Sequence, residues 1–519
     1  MFENYRSPNH KIKITSKFPD LISRIQPVSF VLWVLGIILT VNTIILILLS
    51  LDWQLMHDSP IYHYIAWLMS RGAVPYKDIF DMNFPGTFLL HLFVIKVFGS
   101  GDLAWRLFDL AWLGVTDIFI IAYLRSYGTL PTVLAISLFS NFHLVGGEIN
   151  IGERDYFLVL FILAGTHFVA SSLEKKRASF SKLFIAGFLL GAGMMIKPYS
   201  GAFYVTLSIV VGIYAYRSGQ SWWKPFLVFV VSGLVIPMAI FLWLTTVGGL
   251  IPFFDMIVNY LPLYSELTRI PMRQAIFMHF FTHSILDVTL IIALVMILLI
   301  SLLYCIIQKH IELRQGLLIL GVVYGMFHFF AQGRGWYYHL YPLMAFTFLL
   351  AASWVKRIQL KRQLGMYTIM LLFLFYLSIG LTMESINNIR SPIKFFLMDP
   401  TQLIYDLRGR LAPGETIQTI AHLGEFPQVL FKLHYPMATR FILTFHLFHH
   451  IDNPYIQRLR TEFLETLKIK KPKLIVIFKY DWTDKGYDRL KKFPEFEAWI
   501  NKRYTLEIER NDYRLYSMK

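Results

Sequence analysis

Cysteine is all but missing. The single one, Cys305, excludes an intramolecular disulfide and any cysteine-built metal cluster, and its apolar neighbours make it core filler. Charge is scarce as well: Asp, Glu, Lys and Arg make up 16% of the 519 residues against 56% hydrophobic ones, which excludes an ordinary soluble enzyme. No Walker loop, dinucleotide glycine fingerprint, HExxH or GxSxG occurs as a supported motif, so nothing marks a nucleotide cradle. Internal repeats and low-complexity segments are absent too. Acidic residues are outnumbered 33 to 49, giving a net charge of +16. The basic residues fall in short clusters between apolar runs rather than on one stripe, which makes them topology signals and argues against a nucleic-acid partner.

What is present is membrane-spanning sequence. The first 29 residues are polar and basic (Arg6, Lys11, Lys13, Lys17, Arg24), and Phe30 to Ser50 then runs without a charge for long enough to span a bilayer. That run exceeds a signal-peptide core and no small-residue cleavage site follows, so it reads as an uncleaved anchor. Further apolar runs near 103–124, 129–146, 155–172, 183–197, 201–216, 225–247, 282–306, 314–332, 340–355 and 366–382 bring the expected spans to eleven. The segment 85–99 is short, opens with Pro-Gly and carries His91 and Lys96. Treated as an interfacial helix, it leaves Arg125, the loop 174–182, Arg217 with Lys224, Lys309 with Arg314, and 356–362 on the side of the basic N-terminus, as the positive-inside rule requires.

The expected fold is therefore a polytopic α-helical membrane protein in which residues 1–382 form the transmembrane domain and 52–102 the first external loop, carrying interfacial helices. Residues 383–519 change composition. Strand-like runs at 415–422, 471–480 and 504–518 flank a helical pattern over 455–469, the mark of a small α/β domain, which by parity faces away from the cytoplasm.

Polar residues with chemical capacity collect on that outer face. Asp58, flanked by His57, stands just beyond the first span at the head of an aromatic amphipathic segment; it suits a general base or metal ligand, and equally a helix N-cap. Asp81 follows in the same loop. Glu153, Arg154 and Asp155 open a later span, where they either act on a ligand or pair with one another and with the helix dipole. Lys197 ends another span and can simply snorkel. Arg269 and Arg334 add cations, and Arg334 lies between glycines with Tyr337, Tyr338 and His339 close by, a set suited to a lipid phosphate. Arg106 and Asp109, three residues apart on one helix face, form a natural ion pair. Asp117 has no local partner.

Several of these segments together resemble a known family: Asp58 in its loop, YKDIFDMNFPG at 76–86, Arg106, GERDY at 152–156, LLGAGMMIKP at 189–198 and GRGWYYHLYP at 333–342. They are similar to bacterial GT-C glycosyltransferases, namely the dolichyl-phosphate-mannose protein mannosyltransferase-like and lipid A aminoarabinose transferase-like proteins. The resemblance implies a GT-C fold in the bacterial inner membrane, and the basic clusters put the N-terminus in the cytoplasm. The resemblance also implies inverting transfer of a sugar from a polyprenyl-phosphate donor to an extracytoplasmic lipid, glycan or protein. By that likeness Asp58 and Asp155 are the catalytic carboxylates. Arg334 and Tyr338 match the segment that contacts donor phosphate in relatives; Lys197, Arg269 and His339 join them in binding substrate or its phosphate on the strength of their charge and place, with His57, Asp81, Glu153 and Arg106 in support. No cofactor is required, although a divalent ion held by Asp58 and Asp155 is compatible with the set. Asn83 departs from the pattern, standing where some relatives carry a basic residue. The rival expectation is a transporter or lipid-linked sugar flippase, which would place charges along a pathway through repeated halves.

Overall fold

The computed structural model describes residues 27–174, 177–267, 269–274, 311–360, 378–387, 400–420, 425–481 and 486–519. The basic N-terminal segment, Cys305, Lys309 and the run 282–306 lie outside them, as does most of 366–382.

Long uncharged runs satisfy their own backbone only as helices when water is absent, and the chain obliges. In order these are α1 (Pro27–Leu49), α2 (Ser59–Ser70), α3 (Pro85–Val97), α4 (Asp102–Leu124), α5 (Thr129–Val145), α6 (Arg154–Leu173), α7 (Phe180–Ile196), α8 (Ser200–Arg217), α9 (Trp223–Val247), α10 (Leu250–Asp255), α11 (Leu261–Leu267), α12 (Leu313–Ala331) and α13 (Tyr341–Leu360). Among the described residues six helical stretches are long and apolar enough to cross a bilayer: those containing α1, α4, α6, α9, α12 and α13. The expected runs at 129–146, 183–197 and 201–216 form the helices α5, α7 and α8, of 17, 17 and 18 residues. Burial ranks the helices from centre to rim. The window within Tyr337–Val355 is wholly enclosed by protein, whereas those of α1 and α9 turn most of their surface outward, with Ile37, Ile44, Leu48, Met238 and Leu242 exposed.

Between lipid-bathed helices there is little hydrophobic drive, so close packing must do the holding. Gly187 and Gly191, four apart on α7, let α9 approach until a β-carbon added at Gly191 would lie 2.2 Å from the Gly233 carbonyl oxygen. Helix α3 has 13 residues, about 20 Å at 1.5 Å per residue, short of the roughly 30 Å hydrocarbon layer. It packs against α2 and α7.

The C-terminal part adds α14 (Pro400–Leu407), β1 (Ile417–Ile420), α15 (Glu425–Leu433), α16 (Pro454–Lys470), β2 (Leu474–Phe478), α17 (Pro494–Arg503), β3 (Tyr504–Glu509) and β4 (Tyr513–Met518). The sheet order is β1-β2-β4-β3, with β1 parallel to β2 (Ile417 opposite Leu474) and the remaining pairs antiparallel. Strands β1 and β2 are buried throughout, as parallel strands covered on both faces must be. The run 504–518 is a hairpin rather than one strand, because Arg510, Asn511 and Asp512 break the alternation and turn the chain.

This sheet layer and the first external loop share one apolar core, in which Tyr64, Phe80 and Phe88 meet Phe431, Phe441 and Ile477. Polar bonds pin the same contact. Tyr64 donates its hydroxyl to the Tyr435 carbonyl at 2.8 Å, the Phe80 N–H donates to the Arg440 carbonyl at 2.8 Å, and Arg440 reaches the Tyr76 carbonyl at 2.9 Å while gripping Glu462. The loop that carries Asp58 is thus backed by the C-terminal layer.

Candidate active site

The site starts from a strained residue. His57 has φ = 59°, the left-handed region that residues with a β-carbon seldom occupy, and this turn sends its Nδ1 to Glu153 Oε1 at 2.8 Å. Asp58 stands at the N-cap of α2, yet its side chain caps nothing. Instead, Oδ2 accepts the Tyr62 hydroxyl at 3.0 Å and faces Arg154 Nη2 at 3.5 Å. The N-cap reading of Asp58 therefore fails on geometry, and a partly exposed carboxylate is left facing a cation.

The partner segment 146–153 is fastened from two sides. The Ser59 hydroxyl donates to the Ile151 carbonyl at 2.7 Å, and the Gly152 N–H donates to Asp109 Oδ1 at 3.3 Å. Gly152 has φ = +75°, and a β-carbon there would sit 2.4 Å from Ser59 Oγ, so only glycine lets the loop before α6 close on the start of α2. Glu153 ends the segment fully buried. Burial raises its carboxyl above the usual range, opposed by His57, and its Oε2 has no hydrogen-bond partner. Ligand atoms of His57, Asp58 and Glu153 lie within 4.8 Å of one another, one imidazole nitrogen and two carboxylates that fit a divalent ion.

Arg154 joins this acidic corner to a cavity. It stacks over Tyr62 at 5.2 Å and donates to the Asn83 side-chain oxygen. Asn83 in turn donates its backbone and side-chain N–H groups to Asp81 Oδ1 at 2.8 and 2.7 Å. Burial lifts the Asp81 carboxyl to about 6 even though both Asn83 bonds pull it down, and Asp81 Oδ2 is without a partner. Beyond Arg154 opens a cavity of about 320 Å³ whose polar lining includes Asn83, Arg154, Lys197, Gln332, Arg334 and His339. Lys197 Nζ lies 2.8 Å from Asp155 Oδ2 and donates to Gln332 Oε1 at 2.8 Å; the other Asp155 oxygen meets His328 Nε2 at 2.5 Å. Arg334, flanked by Gly333 and Gly335 at φ = 63° and 66°, donates to the Tyr264 carbonyl at 3.0 Å and lies over the rings of Tyr264 and Trp336. Tyr338 meets His57 edge-on at 5.7 Å, and its buried hydroxyl has no hydrogen-bond partner.

The expected residues thus sort into three groups. His57, Asp58, Glu153 and Tyr338 form the acidic corner, while Lys197, Arg334 and His339 line the cavity. Asp155 lies behind Lys197 and does not join the three-ligand cluster: the carboxylate beside His57 and Asp58 is Glu153. Arg269 is exposed and does not line the cavity; its side chain passes 3.2 Å from where a Gly333 β-carbon would be. Arg106 is fully buried away from the cavity, bonded to Asp109 and to Ser50 Oγ, because an unpaired guanidinium cannot stay within the bundle. Through Asp109, which also meets His143 Nε2 at 2.9 Å, it anchors the Gly152 backbone rather than any ligand. Asp117 accepts from Ser140 at 3.0 Å.

Sequence reasoning missed Arg154, His328 and Gln332 as site residues. The last two offered a signal, since a spacing of four puts both on one helix face. Arg154 had only the triplet in which it seemed to neutralise its own neighbours.

Comparison with known proteins bears on the same geometry. Residues 84–244 match the family described as dolichyl-phosphate-mannose-protein mannosyltransferase. That stretch contains Glu153, Arg154, Asp155 and Lys197, and leaves Asp58 and Arg334 on either side. Among solved structures, ArnT from Cupriavidus metallidurans bound to undecaprenyl phosphate superposes with a TM-score of 0.57 at 14% identity, over 93% of this chain and 98% of that one. The Archaeoglobus fulgidus oligosaccharyltransferase tethered with an acceptor peptide gives 0.51 at 12% identity, over 86% and 69%. The AglB oligosaccharyltransferase of the same organism, in complex with an inhibitory peptide and a dolichol-phosphate, gives 0.50 at 12%. No curated protein matches by sequence. At these identities the likeness is one of fold.

Proposed function

We propose that this chain, by fold a member of the GT-C superfamily of membrane glycosyltransferases, moves a sugar from a polyprenyl-phosphate donor to an acceptor outside the cytoplasm. One observation carries the reading: a carboxylate corner and a cation-lined cavity adjoin at one end of the bundle, joined by Arg154. The relatives captured with undecaprenyl phosphate and with dolichol-phosphate support the donor class. A carrier would need its charges spread along a path through the bundle. Among the described residues Asp109 is instead locked to Arg106 and His143.

The chemistry follows from the two halves. Glycosyl transfer from a lipid phosphate needs an activated acceptor hydroxyl and a neutralised leaving phosphate. Asp58 takes the acceptor proton, held in place by the Tyr62 hydroxyl and the Arg154 guanidinium. Lys197 and Arg334 receive the phosphate, whose charge grows as the bond to the sugar breaks, and attack from the opposite face inverts the anomeric centre. Asp155 and His328 hold Lys197 on the cavity wall. Where His57, Asp58 and Glu153 bind a divalent ion, that ion supplies charge to orient the acceptor. The basic loops, Arg217 and Lys224 among them, support a cytoplasmic N-terminus in a bacterial inner membrane, with the 400–519 layer outside; the acceptor is a lipid, a glycan or a protein.

The reading is tested by giving the purified protein polyprenyl-phosphate sugars and following release of polyprenyl phosphate. Lack of release with every donor, alongside an intact fold, overturns it. Arg334→Ala should raise the KM for the donor by about ten- to a hundredfold, the worth of one charge-assisted hydrogen bond; an unchanged donor KM removes Arg334 from the phosphate site.

A pH dependence follows from Asp81. Its carboxyl, raised to about 6, is ionised at neutral pH and becomes protonated as pH falls through that value, loosening Asn83 and with it Arg154. The kcat/KM profile should therefore show an acid limb near pH 6 that is absent in Asp81→Asn, which keeps an accepting oxygen but cannot titrate. The same limb in that variant assigns the titration elsewhere.

A further inference from the structure

On the far side of α2 from the cation-lined cavity's Arg154 corner, a separate cavity of about 260 Å³ opens between the first external loop and the C-terminal layer. Pro60 and His63 line it from α2, Gly101 and Asp102 from the start of α4, and Gln428, Phe431 and Lys432 from α15. A single water needs only about 10–15 Å³ of such space. Two of the lining side chains are buried and polar, and each has an atom without a partner. Gln428 donates its amide to Asp102 Oδ1 at 3.4 Å, which fixes the orientation of the amide and leaves Oε1 unpaired. His63 shares its Nδ1 with His91 at 3.4 Å and leaves Nε2 unpaired. Orphaned buried polar atoms are uncommon and each costs stability, so the pair asks for a partner.

The chemistry of that partner is constrained. A helix N-terminus with a lysine beside it favours an anion, but here the Asp102 carboxylate already occupies the position, accepting the Leu55 N–H at 3.3 Å and pairing with Lys432 at 3.0 Å. Gln428 Oε1 requires a donor, and His63 takes either a donor or an acceptor. Burial takes the His63 imidazole down to about 4 against the neighbouring Ser100 carbonyl, so it is neutral at physiological pH. Phe431 and Pro60 offer flat apolar surface for C–H groups. Hydroxyls that both donate and accept, set on a ring with an apolar face, meet all of these demands.

We propose that this cavity is a second binding site, taking a neutral sugar residue through Gln428, His63 and Asp102. Helix α2 links the two sites, with Asp58 at its head and His63 just over one turn further on, yet the second stands independently of the transferase reading.

The test uses the full-length protein in nanodiscs, free of sugar-headed detergent, with methyl mannoside, methyl glucoside and N-acetylglucosamine as probes and saturation-transfer NMR as the readout. A short alkyl-phosphate mannoside, compared with methyl mannoside, shows whether a glycan or a lipid-linked sugar brings the residue. Gly101 has φ = −81° and nothing within 4 Å of an added β-carbon, so Gly101→Phe fills the cavity without straining the backbone. Gln428→Met removes the orphan oxygen at constant length. Wild type should bind at least one probe, Gln428→Met about tenfold more weakly for the loss of one or two hydrogen bonds, and Gly101→Phe not at all. Asp58→Asn should bind the probe like wild type even though it fails in transfer. No binding by wild type, equal binding by Gly101→Phe, or displacement of the sugar by inorganic phosphate overturns the proposal.

Discussion

Asp58→Asn should lose sugar transfer by about 10² to 10⁴-fold, the typical contribution of a positioned general base, while leaving the fold intact. The substitution is nearly isosteric. Tyr62 keeps an oxygen to donate to, and Arg154 keeps Asn83 and its stacking on Tyr62. Arg154, whose side chain is 14% exposed, loses a carboxylate 3.5 Å away and is left with these neutral contacts, so melting is followed beside transfer. The comparison that isolates its role is Glu153→Gln. That carboxylate is fully buried and holds His57, so its loss should disturb the corner and slow transfer less than loss of the base itself. Turnover of donor by reconstituted protein, paired with thermal melting, reads both effects. Near-normal transfer by Asp58→Asn sinks the assignment, and a deeper defect in Glu153→Gln moves the base to Glu153.

Much of this arrangement was legible in the sequence because its physics is local. Uncharged runs and clustered Lys and Arg led to a helical membrane bundle, and the apolar runs within 415–422 and 471–480 led to strands. Side-chain targets were less legible, because they depend on which helices meet. The Arg106–Asp109 pair, three residues apart on one helix, was legible, whereas Arg269 and Arg334 were read alike and only tertiary packing leaves the first exposed and puts the second into a cavity wall. Arg154 is the sharpest case: next to two acids in sequence, it points to neither and reaches across to Asp58 and Asn83 on the first loop. Asp155 shows the converse, since a residue expected beside Asp58 is claimed by Lys197 at the end of α7 and by His328 on α12. The hairpin within 504–518 was hidden for a simpler reason, in that its turn is short and charged like the strands around it.

The Lys197–Asp155 pair supplies the other large expected effect, and it separates folding from chemistry. Both side chains are buried, at 6% and 0% exposure, so either alone is costly. Lys197→Met should destabilise the protein by about 3–5 kcal/mol, because the buried Asp155 keeps His328 and Gln332 at one oxygen while the other loses its cation. Asp155→Asn combined with Lys197→Met removes the stranded charge while leaving an oxygen for His328. Most of the lost stability should return, as replacing both members of a buried pair is often close to neutral. Transfer should not return, because the cavity still lacks the cation that meets the leaving phosphate. Thermal melting in detergent measures the first quantity and donor turnover the second. If the double variant recovers transfer along with stability, Lys197 serves the fold alone, and Arg334 with Arg154 must carry the phosphate charge.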